Sequence, residues 1–262
     1  MRLNQFLARA GFGSRRACES LVRDGSVTVN GHRLGGEQLA TQIESGDHVL
    51  VHGKPVKVPQ ALVAVLHKPA GYLCTSTEST REKTIFDLLP TGWPRVVYVG
   101  RLDKDSEGLL VVTNDGILAQ RLMRPASKLR KIYVVTLDRE FDFAHAEKLK
   151  KGFRIEEGFA RMDEIFRLGP RAVKVVLTQG LKRQIREMLA RFGYGVRRLV
   201  RVQIGGLTID GLAAGQHRVL TQADVQRFFP VPKNNPPAPK PAKHAPARND
   251  GRKPTVRAAR RA

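Results

Sequence analysis

The sequence predicts an α+β protein in three parts: a small helix-and-strand module over residues 1–58, a unit with a mixed, largely antiparallel sheet over 59–229, and a disordered tail over 230–262. Three observations lead there. In the first part, apolar residues recur at helical spacing and then alternate in short runs, so helices give way to strands. In the second, apolar runs are joined by loops with too few amphipathic stretches to cover a doubly wound parallel sheet. In the third, Val231 to Ala262 carry nine Lys or Arg, seven prolines and almost no large apolar side chain, which leaves nothing to build a core from.

Taken in order, Leu3, Phe6 and Leu7 share one face of a first helix. Ser14 is placed to cap a second that carries Ala17, Cys18, Leu21 and Val22, with Gly25 ending it. Val27 and Val29 alternate into the turn Asn30-Gly31, and Gly46-Asp47 precedes the short strand Val49-Leu50-Val51. Arg15, Arg16 and Arg23 stand at the polar positions of the second helix, where guanidinium groups reach phosphates. A hinge is expected near Lys57-Val58-Pro59-Gln60. Beyond it, strands are expected through Leu62–Leu66, up to Val99, and through Leu109–Thr113, Lys131–Leu137 and Ala172–Thr178, with a helix after Asn114-Asp115.

The 262 residues include 46 Lys or Arg against 24 Asp or Glu, a net charge of +22, and the partner of such an excess is a polyanion. No apolar run is long enough for a membrane span, and no secretory leader is apparent. Two cysteines, Cys18 and Cys74, make neither a disulfide framework nor a four-cysteine zinc site, which suits a reducing cytoplasm.

Two segments carry candidate chemistry. Gly100-Arg101-Leu102-Asp103-Lys104-Asp105-Ser106-Glu107-Gly108 is a charged loop with glycine at both ends, held between two apolar strands. No histidine or further acid lies near it in sequence, so no metal is expected. The second segment, Gly180 to Leu189, places Leu181, Ile185, Met188 and Leu189 on a core stripe that Phe192 extends. Lys182 and Arg186, four apart, are expected on another face of the same helix, as a phosphate clamp or as a cation that keeps a nearby carboxylate ionised. Tyr133 reads as a half-buried strand tyrosine, and His67-Lys68-Pro69-Ala70-Gly71 as a turn that ends a strand.

Residues 6–17, with Gly25 to Gly31 and Gly46-Asp47, resemble the αL RNA-binding motif. Gly100-Arg101-Leu102-Asp103 followed by Ser106 to Asn114, with Lys68-Pro69-Ala70-Gly71, Tyr133 and Arg183-Gln184-Ile185-Arg186 in the same order, resembles the ribosomal RNA pseudouridine synthases that bear such a module. Asp103 to Ser106, Gly193-Tyr194 and the tail look most like the large-subunit synthase F type. Arg130 departs from the pattern, standing where relatives often have Glu.

The resemblance implies a pseudouridine-synthase catalytic domain after the αL module. In it Asp103 would be the catalytic aspartate, Tyr133 the tyrosine that stacks on the target base, and Arg186 the cation beside Asp103. Arg101 would fill the space left by an extruded nucleotide, and Lys68, Lys182 and Arg183 would contact substrate. Ribosomal RNA is the implied partner, tRNA a second candidate, and a cytoplasmic monomer without cofactor is expected. Moving uracil from N1 to C5 attachment needs a carboxylate at the sugar and no redox carrier. The alternatives are a small-subunit rRNA target, or an RNA-binding assembly factor without catalysis. An RNA methyltransferase is disfavoured, because no Gly-x-Gly loop follows a first strand and opens a helix.

Overall fold

The computed structural model describes residues 1–76 and 81–229. The basic tail expected from residue 230 lies outside the described residues. Helices α1 (Leu3–Arg9) and α2 (Arg15–Arg23) precede a four-stranded sheet of β1 (Val27–Val29), β2 (His32–Arg33), β3 (Val49–Val51) and β4 (Lys54–Pro55), in the order β2-β1-β3-β4. Leu3, Leu7, Cys18, Val22, Val27 and Val51 fill the core between them. The Ser14 side chain accepts a hydrogen bond from the Ala17 amide, which caps α2 as its spacing requires. Ala17 itself is exposed, so the buried stripe is narrower than its apolar residues suggest. Asn30 and Gly31 both have positive φ, at 51° and 82°, the geometry that an Asn-Gly hairpin turn needs.

The larger unit comprises β5 (Val63–Lys68), β6 (Val97–Val99), β7 (Glu107–Thr113), α3 (Gly116–Met123), β8 (Lys131–Leu137), α4 (Ala146–Lys151), β9 (Phe153–Ile155), β10 (Gly158–Ala160), β11 (Glu164–Gly169), β12 (Ala172–Leu177), α5 (Gln184–Ala190), β13 (Val196–Ile204), β14 (Leu207–Thr208), β15 (His217–Val219) and α6 (Gln222–Gln226). Nine strands form one sheet, ordered β11-β12-β8-β13-β7-β5-β15, with β14 beside β13 and β6 beside β7. The strands β9 and β10 make a separate antiparallel pair. In the large sheet the β13–β7 pairing is parallel and the others are antiparallel, so the expected sheet type holds.

Alternation along the strands sends side chains to two cores. Leu66, Leu110, Val135 and Val175 meet α4 and α5 on one face, where Ile185, Met188 and Leu189 are buried as their stripe implies. Val65, Leu109 and Val111 meet Ala119 and Leu122 of α3 on the other. The expected hinge falls in a stretch without helix or strand. Its far end is tied to the sheet by Asn114, whose side chain accepts from the Leu62 amide at 2.7 Å and donates to the Gln60 carbonyl at 2.8 Å.

Candidate active site

The charged loop sits where the parallel and antiparallel pairings meet. It leaves β6 at Gly100 (φ +71°) and enters β7 through Gly108 (φ +112°), which is paired with Arg201 of β13 on one side and Lys68 of β5 on the other. A Cβ at position 108 would stand 2.3 Å from the Arg201 carbonyl oxygen, so only glycine fits this approach. Glycine at both ends of the loop therefore has the torsional use its placement suggests.

Beneath the loop lies Lys68, with no exposed surface. Its ammonium donates to the carbonyls of Pro69 (3.0 Å), Asp103 (3.1 Å), Lys104 (3.2 Å) and Ser106 (2.7 Å). Burial pushes its pKa below the usual lysine value, opposed by the negative fields of Cys74, Asp105, Asp103 and Glu107. The expectation that Lys68 contacts substrate is thus corrected: its donors are engaged by the protein's own backbone. Period-two alternation carries the signal, since Ala64, Leu66 and Lys68 point to the same side and the first two are core.

Asp103 is half-buried and opens on a cavity of about 460 Å³, lined also by Cys74, Thr75, Arg101, Lys182 and Arg183. Arg101 is exposed at the rim. The loop's other acid takes the arginines. Arg186 Nη2 lies 3.2 Å from Asp105 Oδ2 and donates to the Asp105 carbonyl at 3.1 Å, and Arg183 Nη1 lies 3.7 Å from Asp105 Oδ1. Among the described residues no cation comes within 4.0 Å of the Asp103 carboxylate, so the expected Asp103–Arg186 pair is replaced by Asp105–Arg186. The Arg186 guanidinium is engaged from two sides: Nη1 donates to the Val196 carbonyl at 3.0 Å while Nη2 serves residue 105.

The shared helical face of Lys182 and Arg186 is also corrected. Arg183 takes a left-handed conformation (φ 51°) and α5 starts only at Gln184, so Lys182 lies in the preceding turn, 3.8 Å from Glu157. The turn is held by Gln184, buried at 3 % exposure, whose side chain accepts from the Leu181 amide and donates to the Arg161 carbonyl. Tyr133 is at the centre of β8, 8 % exposed, between Val175 and Arg201. It shares an apolar cluster with Leu102 of the loop and is not among the residues lining the cavity. Arg130 pairs with Glu164 at 2.7 Å.

On the other edge of the loop, Glu107 receives two hydrogen bonds from Arg198, at 2.8 and 2.9 Å, and these hold its carboxyl below the usual range. In the amino-terminal module, Arg15, Arg16 and Arg23 are all exposed and make no ion pair within 4.0 Å among the described residues. Arg16 and Arg23, seven apart, lie on one line of α2, with Arg15 roughly 100° around the helix. Sequence reasoning missed one buried cation altogether: Arg201, 3 % exposed, beside the loop.

Residues 62–191 match the family model of RNA pseudouridylate synthases, and residues 1–35 match that of the S4 domain. An RNA pseudouridine synthase of Aquifex aeolicus is 36% identical over 87% of this chain and 94% of its own length. The dual-specificity RNA pseudouridine synthase RluF of Escherichia coli K12 is 31% identical over 98% of this chain and 88% of its own length. A crystal structure of a pseudouridylate synthase superposes with a TM-score of 0.63 at 24% identity, covering 87% of this chain and 99% of that one, and shows the same fold. With an S4 domain ahead of a synthase sheet, the chain belongs to the RNA pseudouridine synthase family, and is an isomerase.

Proposed function

We propose that this enzyme converts a uridine of ribosomal RNA, in the large subunit, to pseudouridine, with Asp103 as the reacting carboxylate and tRNA as a second candidate substrate. The observation that carries the reading is that Asp103 opens on a cavity from a loop whose backbone is tied down by buried Lys68. In the reaction the C1′–N1 bond breaks, the uracil turns, C5 bonds to C1′, the C5 proton leaves to solvent, and N1 takes up a proton in its place. Asp103 serves by attack at C1′ or by taking a sugar proton, and either role needs it ionised. A stacked base hides C1′ and C5, so the uridine must leave its helix, and Arg101, exposed at the cavity rim, would fill the gap. Tyr133, buried in β8 and outside the cavity lining, would have to become accessible for its ring to stack on the flipped base.

Arg183 and Lys182 at the cavity mouth, and the free arginines of α2, supply phosphate contacts that position the RNA without reading its sequence. No helix among the described residues is long and apolar enough to cross a membrane. The test is position-resolved mapping of pseudouridine in total RNA from cells with and without the gene. The reading predicts loss at one or a few large-subunit positions, restored by the wild-type chain and not by Asp103→Asn. An unchanged rRNA map would overturn it.

A further inference from the structure

Arg201 of β13 makes contacts that core packing does not explain. Its Nε donates to the Leu109 carbonyl at 2.7 Å and its Nη1 to the Arg101 carbonyl at 3.3 Å, so one planar guanidinium bridges both ends of the Asp103 loop. Its Nη2 is buried with no hydrogen-bond partner. Its backbone is in register with Tyr133 on one side and with Gly108 on the other, and the Gly108 approach discussed above is to its own carbonyl. A buried guanidinium with one nitrogen unsatisfied is a poor choice for stability alone, because an apolar side chain of similar volume is often as good or better. What it does that an apolar side chain does not is fix the carbonyls of residues 101 and 109 relative to each other, with Asp103 between them.

We propose that Arg201 is a positioning residue for the isomerisation: it sets the offset of the loop's two ends from β8, and so the place of the Asp103 carboxylate over the sheet. The inference rests on the reading of Asp103 as the reacting group. Arg201 is too buried to meet RNA, so its loss should leave binding alone and fall on the chemical step. Small misplacements matter there, since about 1 Å costs on the order of 100-fold in rate.

The experiment measures tritium release from RNA carrying 5-tritiated uridine by the wild type, Arg201→Met and Arg201→Lys, with RNA affinity by filter binding and melting temperature recorded alongside. Arg201→Met should lose about 30-fold or more in kcat, with KM and RNA Kd within about twofold of wild type at temperatures where it is folded. Arg201→Lys should recover part of the loss, since one ammonium can serve one of the two carbonyls but lacks the planar fork that serves both. If Arg201→Met does not fold, Arg201→Lys decides alone, with a loss of about tenfold in kcat at unchanged KM expected. A kcat within about threefold of wild type in the deciding variant overturns the inference, as does a kcat loss matched by equal loss of RNA affinity, the mark of general loosening. Failure of the underlying reading looks different: Asp103→Asn would then be as active as wild type, whatever Arg201 does.

Discussion

Two groups of cations in this protein do opposite things. Lys68, Arg186 and Arg201 are turned inward, and between them they donate to the carbonyls of Arg101, Asp103, Lys104, Asp105, Ser106 and Leu109. Arg15, Arg16 and Arg23 are exposed on α2 and make no ion pair among the described residues. The difference teaches that a basic residue in an RNA enzyme is not by default an RNA contact. The inward set holds a loop in shape through its backbone and leaves the Asp103 carboxylate with no cation within 4.0 Å among the described residues, whereas the exposed set faces solvent.

The contrast predicts distinct failures. The largest effect should come from Lys68→Met, which leaves three loop carbonyls and that of Pro69 without their donor. We expect a loss of about 2–3 kcal/mol in denaturant titration and a kcat reduced about 100-fold or more, with the RNA affinity of the folded fraction unchanged. Weakened binding with intact kcat would place Lys68 among the RNA contacts after all.

Asp105→Asn comes next, because Asp105 is the acid that Arg186 and Arg183 engage. The pair is partly exposed, so a kcat loss of about tenfold is expected in single-turnover assays, with RNA bound as tightly as before or tighter. If Asp105→Asn is silent while Arg186→Ala is inactive, the arginine acts elsewhere than on residue 105.

The double variant Arg16→Gln, Arg23→Gln should do the reverse of Lys68→Met. The salt dependence of binding should flatten by about 0.7–0.9 log units per lost phosphate contact, with kcat at saturation and melting temperature unchanged. An unaltered salt slope would remove α2 from the RNA footprint.

The smallest effect concerns acid stability. Because Arg198 holds the Glu107 pKa below its ordinary 4.5, the pair contributes stability that is fully present above that value and is lost as pH falls through the lowered one. Arg198 is 60% exposed, so the contribution is under about 1 kcal/mol. Glu107→Gln should lose that pH dependence, read as a smaller drop in melting temperature between pH 5 and pH 3. An unchanged drop would mean the pair is not felt in the folding equilibrium.

Local chemistry made much of this fold legible. Ser14 before an apolar stripe, Asn30-Gly31 after alternating valines, and two glycines around a charged loop each need only a few neighbouring residues to be read, and each stands in the structure as expected. The partners of the charged side chains were not legible, because they come from far along the chain. Lys68 meets Ser106 across 38 positions and Arg201 meets Leu109 across 92. The i,i+4 spacing of Lys182 and Arg186 misled because it presumes a continuous helix, and Arg183 in the left-handed region places the helix start after Lys182. Spacing cannot say which of Asp103 and Asp105 an arginine will choose. Here the Val196 carbonyl takes one terminal nitrogen of the Arg186 guanidinium and residue 105 takes the other.

The central claim is that the cation-held loop exists to present one carboxylate, that of Asp103. Asp103→Asn keeps the shape and removes the charge, and no ion pair within 4.0 Å among the described residues depends on it, so the variant should fold and bind RNA as the wild type does. Tritium release from RNA carrying 5-tritiated uridine tests it directly. The account predicts release by wild type and none above background by Asp103→Asn, with both proteins showing the same circular dichroism and RNA affinity. Release by Asp103→Asn at the wild-type rate would contradict it.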